Sequence, residues 1–320
     1  MILRGWRYFL KVAETGNLTR AAAQLHMTQP ALSRHLKHLE EEMGVALLMR
    51  HGRGVRLTEA GALFVEQARE ILARADTLSE VLHARAARPS GQLAIGMPLS
   101  WTGLVTTPLV TAFRERYPSV TLRLVEGTTD ALRQALKRHE IQAAVVTMVE
   151  RDPEIETRHV ISDGAYLIGP PGSSVVRDGK LDLKALTGQP LVLLTHTTNV
   201  RRELERALAQ ARLRSDMVLE VNTLSLLDYV ERGVGYSVVP ACAVAGFDRR
   251  NRLKVGLIDG FRSDWAVASL RGHPGTAALR AFENLLDDML ADLVTRGAWP
   301  SARLVSPTEE ARQRPHIASE

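Results

Sequence analysis

The sequence has 320 residues, enough for two or three domains. Hydrophobic residues make up 45% of it and charged residues 24%, values that exclude a disordered or fibrous chain. No apolar run reaches the roughly 20 residues of a membrane span, and no signal peptide is visible. The single cysteine, Cys242, cannot form an intrachain disulfide. We therefore expect a cytoplasmic protein without a membrane partner.

The net charge of +5 is concentrated at the N-terminal end. Residues 1–57 carry nine Lys and Arg against four Asp and Glu, so the rest of the chain is balanced. A compact basic module favours a polyanion as its partner, although a solvated basic surface has the same composition.

Three helices are predicted in the first 44 residues. Apolar residues recur at helical spacing from position 6 to position 13, which predicts the first helix. Thr19 is the predicted cap of a short second helix over 20–25. Thr28 is the predicted cap of a third helix over 29–43. Short helices in this order are typical of a helix-turn-helix.

The third helix has one apolar and one polar face. Leu32, Leu36 and Leu39 lie on the apolar face, while the polar face carries side-chain types that read base edges or bind phosphate. A strand-turn-strand over 47–57 follows, and its arginines predict contacts with phosphates or the minor groove. The predicted DNA contacts are Thr28, Gln29, Pro30, Ser33, Arg34, Lys37, His38, Arg50, Arg53 and Arg56.

The segment FLKVAETGNLTRAAAQLHMTQPALSRHLKHLEEEMG, followed by LLMR and LTEAG, resembles the LysR-type transcriptional regulators. Leu48 stands where members of that family usually carry phenylalanine. The resemblance implies a winged helix-turn-helix domain over 1–58 that binds an interrupted palindrome in double-stranded DNA.

A single long helix is predicted over 59–87, with apolar residues at alternating steps of four and three. Such a seam needs a partner surface, either the N-terminal module or a second copy of the chain. In the resembled family this helix pairs antiparallel across a dimer, so we expect a homodimer or homotetramer. The predicted seam residues are Phe64, Ala68, Ile71, Ala75, Leu78 and Leu82.

After a hinge at 88–91, strands and helices alternate, which predicts parallel sheets with helices on their faces. We predict an effector-binding domain over 92–300, with half I at about 92–161 and 267–300 and half II at about 162–266. A disordered tail is predicted over 301–320. The segments YPSVTLRLVEGTT and VERGVGYSVVP resemble the periplasmic-binding-protein-like sensor of the LysR type. The expected fold class is thus α+β multidomain, with a two-subdomain α/β sensor.

Within the predicted effector-binding domain, strands are predicted at 92–97, 120–126, 143–146, 155–161, 165–169, 191–194, 218–221, 237–239 and 265–270. Ligands of α/β domains bind beyond the carboxyl ends of strands, where helix N-termini offer N–H groups. Several hydroxyl-rich loops follow these strands and could hold a small organic effector, for example a carboxylate or similar anion. Trp101 could supply a stacking contact to it. Each hydroxyl could instead be only a helix cap. The predicted effector contacts are Ser100, Trp101, Thr102, Thr128, Thr129, Thr147, Thr195, Thr198 and Asn199.

The sequence contains no nucleophile elbow, phosphate loop or metal-ligand spacing, so we expect no catalytic residue, cofactor or metal. A solute-binding protein would explain the sensor but not the basic N-terminus. An architectural DNA protein would not explain the cleft. The sequence therefore predicts a LysR-type transcription regulator whose operator binding or bending changes with effector, and RNA polymerase is a further expected partner.

Overall fold

The computed structural model describes residues 2–51, 54–83, 89–148, 152–176, 179–196, 198–222, 225–245, 252–272 and 275–305. They form two compact units: the chain up to the end of the long helix together with residues 138–140, and the remaining residues from the next strand onward. Within these ranges, we find no helix with the length and apolar character of a membrane span.

The first unit is a winged helix-turn-helix followed by the long helix. Its core is one cluster of buried residues that includes Phe9, Leu32 and Leu36. Its elements are α1 (Ile2–Thr15), α2 (Leu18–Gln24), α3 (Gln29–Met43), β1 (Leu48–His51), β2 (Gly54–Leu57) and α4 (Glu59–His83).

The N-terminal caps of α2 and α3 both differ from the prediction. Asn17, rather than Thr19, caps α2, because its Oδ1 accepts the N–H groups of Thr19 at 2.9 Å and Arg20 at 3.0 Å. The helix therefore begins two residues earlier than predicted. Thr28 has the extended backbone of an N-cap residue, but its side chain makes no capping hydrogen bond. Gly44 ends α3 in the left-handed conformation that glycine readily adopts.

The motif LTEAG attaches the start of α4 to the wing. Thr58 donates its N–H to the Leu47 carbonyl at 3.0 Å and its hydroxyl to the Ala46 carbonyl at 2.8 Å. The same hydroxyl accepts the N–H of Gly61 at 2.9 Å. A Cβ on Gly61 would lie 2.0 Å from the Leu47 carbonyl oxygen, so only glycine fits this close approach.

The predicted seam of α4 is partly a core of its own chain. The Phe64 ring lies 5.2 Å from the rings of Trp6 and Phe9, so this seam residue packs on the N-terminal module of its own chain, and its dimer contact stays a prediction. Ile71 is 43% exposed and remains free for a second copy. Ala68 is buried and Ala75 is half-buried. The side chains of Leu78 and Leu82 lie outside the described residues.

The second unit contains two α/β halves. A 3₁₀ turn at Leu99–Trp101 and a π turn at Thr102–Thr106 precede its first helix. Its elements are β3 (Gly91–Pro98), α5 (Thr107–Arg116), β4 (Val120–Gly127), α6 (Thr129–Lys137), β5 (Ala143–Thr147), β6 (Ile155–Gly169), β7 (Lys180–Leu181), β8 (Pro190–Leu194), α7 (Asn199–Gln210), β9 (Asp216–Val221), α8 (Leu226–Glu231), β10 (Ser237–Pro240), α9 (Cys242–Ala245), β11 (Lys254–Leu270), α10 (Ala277–Thr295) and β12 (Arg303–Leu304).

Two long antiparallel strands, β6 and β11, run through both halves. Half I has the strand order β4-β3-β5-β11-β6, and the other end of β6 pairs with β11 on one side and with β10 on the other in half II. Parallel strands β8 and β9 complete half II, where β8 lies beside β10 through the 2.8 Å hydrogen bond from Val192 N–H to the Tyr236 carbonyl. The sequence predicts separate strands at 155–161 and 165–169 and, within β11, only a strand at 265–270. In the structure β6 is continuous over 155–169 and β11 begins at residue 254. The pairing of β6 with β11 overrides the turn signals in their sequence.

The chain after α10 is ordered further than predicted. Trp299 is buried in the core of half I, and Arg303 of β12 pairs with Ser162 of β6. The prediction of a disordered tail is therefore wrong for residues 301–305. Residues 306–320 lie outside the described part of the chain.

Candidate nucleic-acid interface and ligand cleft

Helix α3 presents one polar face to solvent. Its leucines are buried in the core, whereas Thr28, Pro30, Arg34, Lys37 and His38 are exposed. Gln29 and Ser33 are half-buried on the same side of the helix. The predicted recognition residues are therefore together on one surface.

Two basic side chains of this surface lie close to glutamates of the same helix. Lys37 Nζ lies 3.7 Å from Glu41 Oε1, and His38 Nε2 lies 3.5 Å from Glu42 Oε1. Arg34, by contrast, is exposed and makes no ion pair within the described ranges. It is the cation of α3 that is most available to a DNA base or phosphate.

The wing is fixed to the turn between α1 and α2. Val55 donates its N–H to the Gly16 carbonyl at 3.1 Å, and a Cβ on Gly54 would lie 2.5 Å from that oxygen. Arg56, one residue further along β2, is exposed. Of the other predicted wing contacts, Arg53 and the side chain of Arg50 lie outside the described residues.

A cleft lies between the two halves of the second unit and holds about 630 Å³ of space between atoms, part of it open solvent. Among the described residues that line it, none is charged; hydroxyls, amides and apolar side chains predominate. They are Pro98, Leu99, Ser100, Gly127, Thr128, Thr129, Thr147, Leu194, Thr198, Asn199, Val200, Asn222, Pro240, Ser263 and Trp265.

Two of the predicted threonines form a buried pair on the half I wall. The Thr129 and Thr147 hydroxyl oxygens are 2.7 Å apart, and Thr147 donates its N–H to Thr129 Oγ1 at 3.1 Å. Ser100 and Thr128 also line this wall. Four residues that the sequence places in three separate loops are thus brought together.

The opposite wall includes the N-terminus of α7. Thr198 occupies the N-cap position, but its hydroxyl donates to the Thr195 carbonyl at 2.9 Å and makes no cap. The first-turn N–H groups of α7 are therefore not capped by this side chain. Thr198 and Asn199 line the cleft here, as predicted from the sequence.

Three predicted contacts are not among the lining residues. Trp101 is fully buried in the half I core, with its ring 5.4 Å from those of Trp265 and Trp299, so its stacking role is corrected. The Thr102 hydroxyl lies 2.6 Å from a Glu126 carboxylate oxygen. Thr195 uses its N–H to bond the Val221 carbonyl at 2.9 Å.

The sequence analysis also missed lining residues. Asn222 directly follows β9 and Pro240 ends β10, so the strand-end rule applied to every strand would have found both. Ser263 and Trp265 lie inside β11 and reach the cleft because that strand crosses between halves. No local sequence signal marks these two residues.

Behind the cleft, Asp163 is a fully buried carboxylate that accepts a hydrogen bond from the Cys242 N–H at 3.0 Å. Burial raises the pKa of Asp163 above its usual value, although its hydrogen-bond donors oppose this shift. Burial, followed by the charge of Asp163, also raises the pKa of the Cys242 thiol well above its usual range. This cysteine is therefore a protonated and poorly nucleophilic side chain.

Comparison with known proteins agrees with this architecture. The family model for the LysR substrate binding domain matches residues 86–291, and the model for the bacterial regulatory helix-turn-helix protein of the lysR family matches residues 3–62. The regulator TfdS of Cupriavidus pinatubonensis is 34% identical over 254 residues, covering 77% of this chain and 84% of TfdS. The nitrogen assimilation regulatory protein nac of Klebsiella aerogenes is 33% identical over 250 residues, covering 76% of this chain and 79% of nac.

Solved structures share this fold. Full-length CbnR in complex with its target DNA is 26% identical, with a TM-score of 0.65, and the match covers 90% of this chain and all of CbnR. A full-length OxyR variant of Pseudomonas aeruginosa, 24% identical, matches with a TM-score of 0.72 over 96% of this chain and 99% of OxyR, and shows the fold alone.

A winged helix-turn-helix followed by a two-half sensor defines a DNA-binding transcription regulator with an effector-binding domain. The chain belongs to the LysR family of bacterial transcription regulators. Because its relatives are regulators, the alternative of a solute-binding protein without DNA function is wrong.

Proposed function

We propose that this regulator reads its operator through the exposed face of α3 and changes that binding when a small molecule enters the cleft. The observation that carries the sensing half is that Thr128 and Thr129 on one wall face Thr198 and Asn199 on the other within one cleft. Hydroxyl and amide donors at the start of two helices suit a polar or singly anionic ligand. The chain acts by binding, without catalysis, in this proposal.

On the DNA side, Arg34 pairs with a base edge in the major groove, while Arg56 of the wing contacts phosphate. Gln29 and Ser33 lie beside Arg34 and supply further base contacts. Lys37 and His38, already near glutamates, contribute mainly to phosphate binding. This division follows from exposure and from the glutamates close to Lys37 and His38 within α3.

Two copies of the chain pair through the exposed part of the α4 seam around Ile71, which lets two recognition helices bind two half-sites. Effector binding changes the relation between the sensor halves, and through the dimer it changes operator affinity or bending. The effector must bind the two states with different affinity for this to occur. Contact with RNA polymerase at the promoter and a cytoplasmic location are further parts of the proposal.

The DNA half is tested with an operator selected by the wild-type chain from random duplexes. Arg34→Ala should weaken binding by about 1–3 kcal/mol and relax base preference at one position. The matched control is Lys11→Ala in α1, a different helix, where Lys11 Nζ lies 2.7 Å from Glu14 Oε2. Equal affinity and unchanged preference for Arg34→Ala would contradict the assignment.

The sensing half is tested with the compound that native mass spectrometry finds bound to the purified chain. Ser100→Ala should leave operator affinity in the absence of that compound unchanged and weaken the response to it. If Ser100→Ala impairs DNA binding while Arg34→Ala impairs only the response, the two sites are wrongly assigned.

A further inference from the structure

One ion pair joins the two walls of the cleft at its rim. Arg202 Nη1 lies 3.1 Å from Asp130 Oδ2. Asp130 is the second residue of α6, directly after the lining residue Thr129. Arg202 lies three residues after the lining residue Asn199 in α7. The pair therefore connects the N-terminal ends of two helices that belong to different halves.

Among the described residues, this contact has no equivalent elsewhere at the cleft. The described lining residues are uncharged, and no other ion pair within the described ranges joins α6 to α7. A cation near the N-terminal end of a helix gains nothing from the helix dipole. The dipole of α7 therefore does not account for Arg202 at this position.

We propose that the Arg202–Asp130 pair is a latch that favours the closed arrangement of the two halves and thereby controls entry of the effector. The latch rests on the proposed function only in that the effector must enter this cleft. Both side chains are partly exposed, at 33% and 48%, so solvent and salt weaken their attraction. Exposed ion pairs of this kind change an equilibrium by about two- to fivefold.

A latch of this strength shifts the equilibrium between closed and open arrangements only slightly, so both remain accessible. Breaking it leaves the fold intact and raises the share of molecules with an open cleft by a small factor. A ligand that binds better to one arrangement can overcome such a bias with a small difference in affinity.

The test measures the distance between the two halves in the full-length protein without ligand or DNA. Spin labels are placed on Gln134→Cys in α6 and Gln210→Cys in α7, both exposed positions. Cys242 is buried, so it does not compete for the label. Mixing labelled with excess unlabelled chain restricts the signal to pairs within one chain, and pulsed dipolar spectroscopy then gives the populations of short and long distances.

We expect Arg202→Gln and Asp130→Asn each to raise the ratio of long to short distances about two- to fivefold. The double variant should match the single variants, and exchanging the charges, Asp130→Arg with Arg202→Asp, should restore the wild-type ratio. Raising KCl to about 0.5 M should open the wild type and leave Arg202→Gln unchanged, because salt screens only an existing pair.

The matched control is Glu203→Gln, which removes the Arg206–Glu203 ion pair of 2.7 Å within α7 itself. It should leave the distance ratio unchanged. The latch is refuted if Arg202→Gln behaves like this control, if salt has no effect on the wild type, or if every variant shows one and the same distance. Since neither DNA nor ligand is present, these outcomes leave the tests with Arg34 and Ser100 independent.

Discussion

The indole N–H of Trp299 donates a 2.8 Å hydrogen bond to the carboxylate of Asp163, at the point where β6 passes from one half of the sensor to the other. The Ser301 hydroxyl and the Cys242 N–H donate to the same carboxylate at 2.7 Å and 3.0 Å. One buried side chain therefore holds together β6, the start of α9 and the segment after α10.

Asp163→Asn should destabilise the protein by about 1–3 kcal/mol, because an amide N–H₂ replaces one of the oxygens that now accept hydrogen bonds from buried donors. Denaturant unfolding of the full chain measures this loss. The control Asp259→Asn removes an exposed ion pair with Lys180 and should cost under about 1 kcal/mol. Equal losses for the two variants would contradict the role of Asp163.

The difference in stability between wild type and Asp163→Asn should also depend on pH. Burial raises the pKa of Asp163 in the folded state, so the folded protein binds this proton more tightly than the unfolded chain. The difference should be largest below the ordinary pKa of 3.8 and should shrink as the pH rises through the raised value. If this stability difference grows with pH instead, burial does not disfavour the charged form of Asp163.

Gly61→Ala should destabilise the winged domain by about 1–3 kcal/mol, because the new Cβ would press against the Leu47 carbonyl and force backbone to move. Gly5→Ala is the matched control: it lies inside α1, and apart from its neighbours in that helix no described atom lies within 4 Å of the new Cβ, so it should stabilise the helix by about 0.5–1 kcal/mol. Circular dichroism during denaturant unfolding distinguishes the two. A tolerated Gly61→Ala would show that the wing and α4 are not in close contact.

Cys242 should resist modification in the folded protein. Its burial and raised pKa predict almost no reaction with Ellman's reagent near pH 8, and one thiol per chain should react after unfolding in guanidinium. Hydrogen peroxide should leave operator affinity unchanged. Rapid reaction of the folded protein would indicate a redox-sensitive thiol instead.

Ile71→Lys should raise the dimer dissociation constant at least tenfold, since it places a charge in the proposed α4 seam. Glu66→Lys puts the same side chain on another face of the helix and should have little effect. Sedimentation equilibrium compares the two variants. A monomeric wild type, or equal association of both variants, would remove α4 from the interface.

Local signals made the helix-turn-helix predictable. Pro30 in the first turn and Gly44 after the last turn mark the start and the end of α3. The bounds predicted from them, 29 and 43, agree with the structure. The start of α2 was missed because Asn17 and Thr19 are both good caps, and the choice depends on the turn before them. The Thr128–Thr129 and Thr198–Asn199 loops were found because strand ends followed by helix starts are also local signals.

Contacts between distant parts of the sequence were not predictable. Ser162, Asp163 and Gly164 have the composition of a turn, yet they continue β6 because β11 pairs with them and Trp299, 136 residues from Asp163, covers the carboxylate. The assignment of Trp101 to the cleft wall is wrong for the same kind of reason: it rests on the neighbouring Ser100, whereas the contacts of Trp101 are with distant residues. Its packing against two other tryptophans decides its burial, and nothing near it in the sequence indicates them.

The most direct test of the account is the DNA bend angle and operator affinity of the wild type with and without the compound found bound in its cleft. Circularly permuted operator fragments in a gel shift measure both quantities, and a rise in melting temperature verifies that the compound is bound. We expect saturating compound to change affinity or bend angle in the wild type, with a weaker change in Ser100→Ala. If the bound compound leaves both quantities unchanged in the wild type, cleft and operator are not coupled.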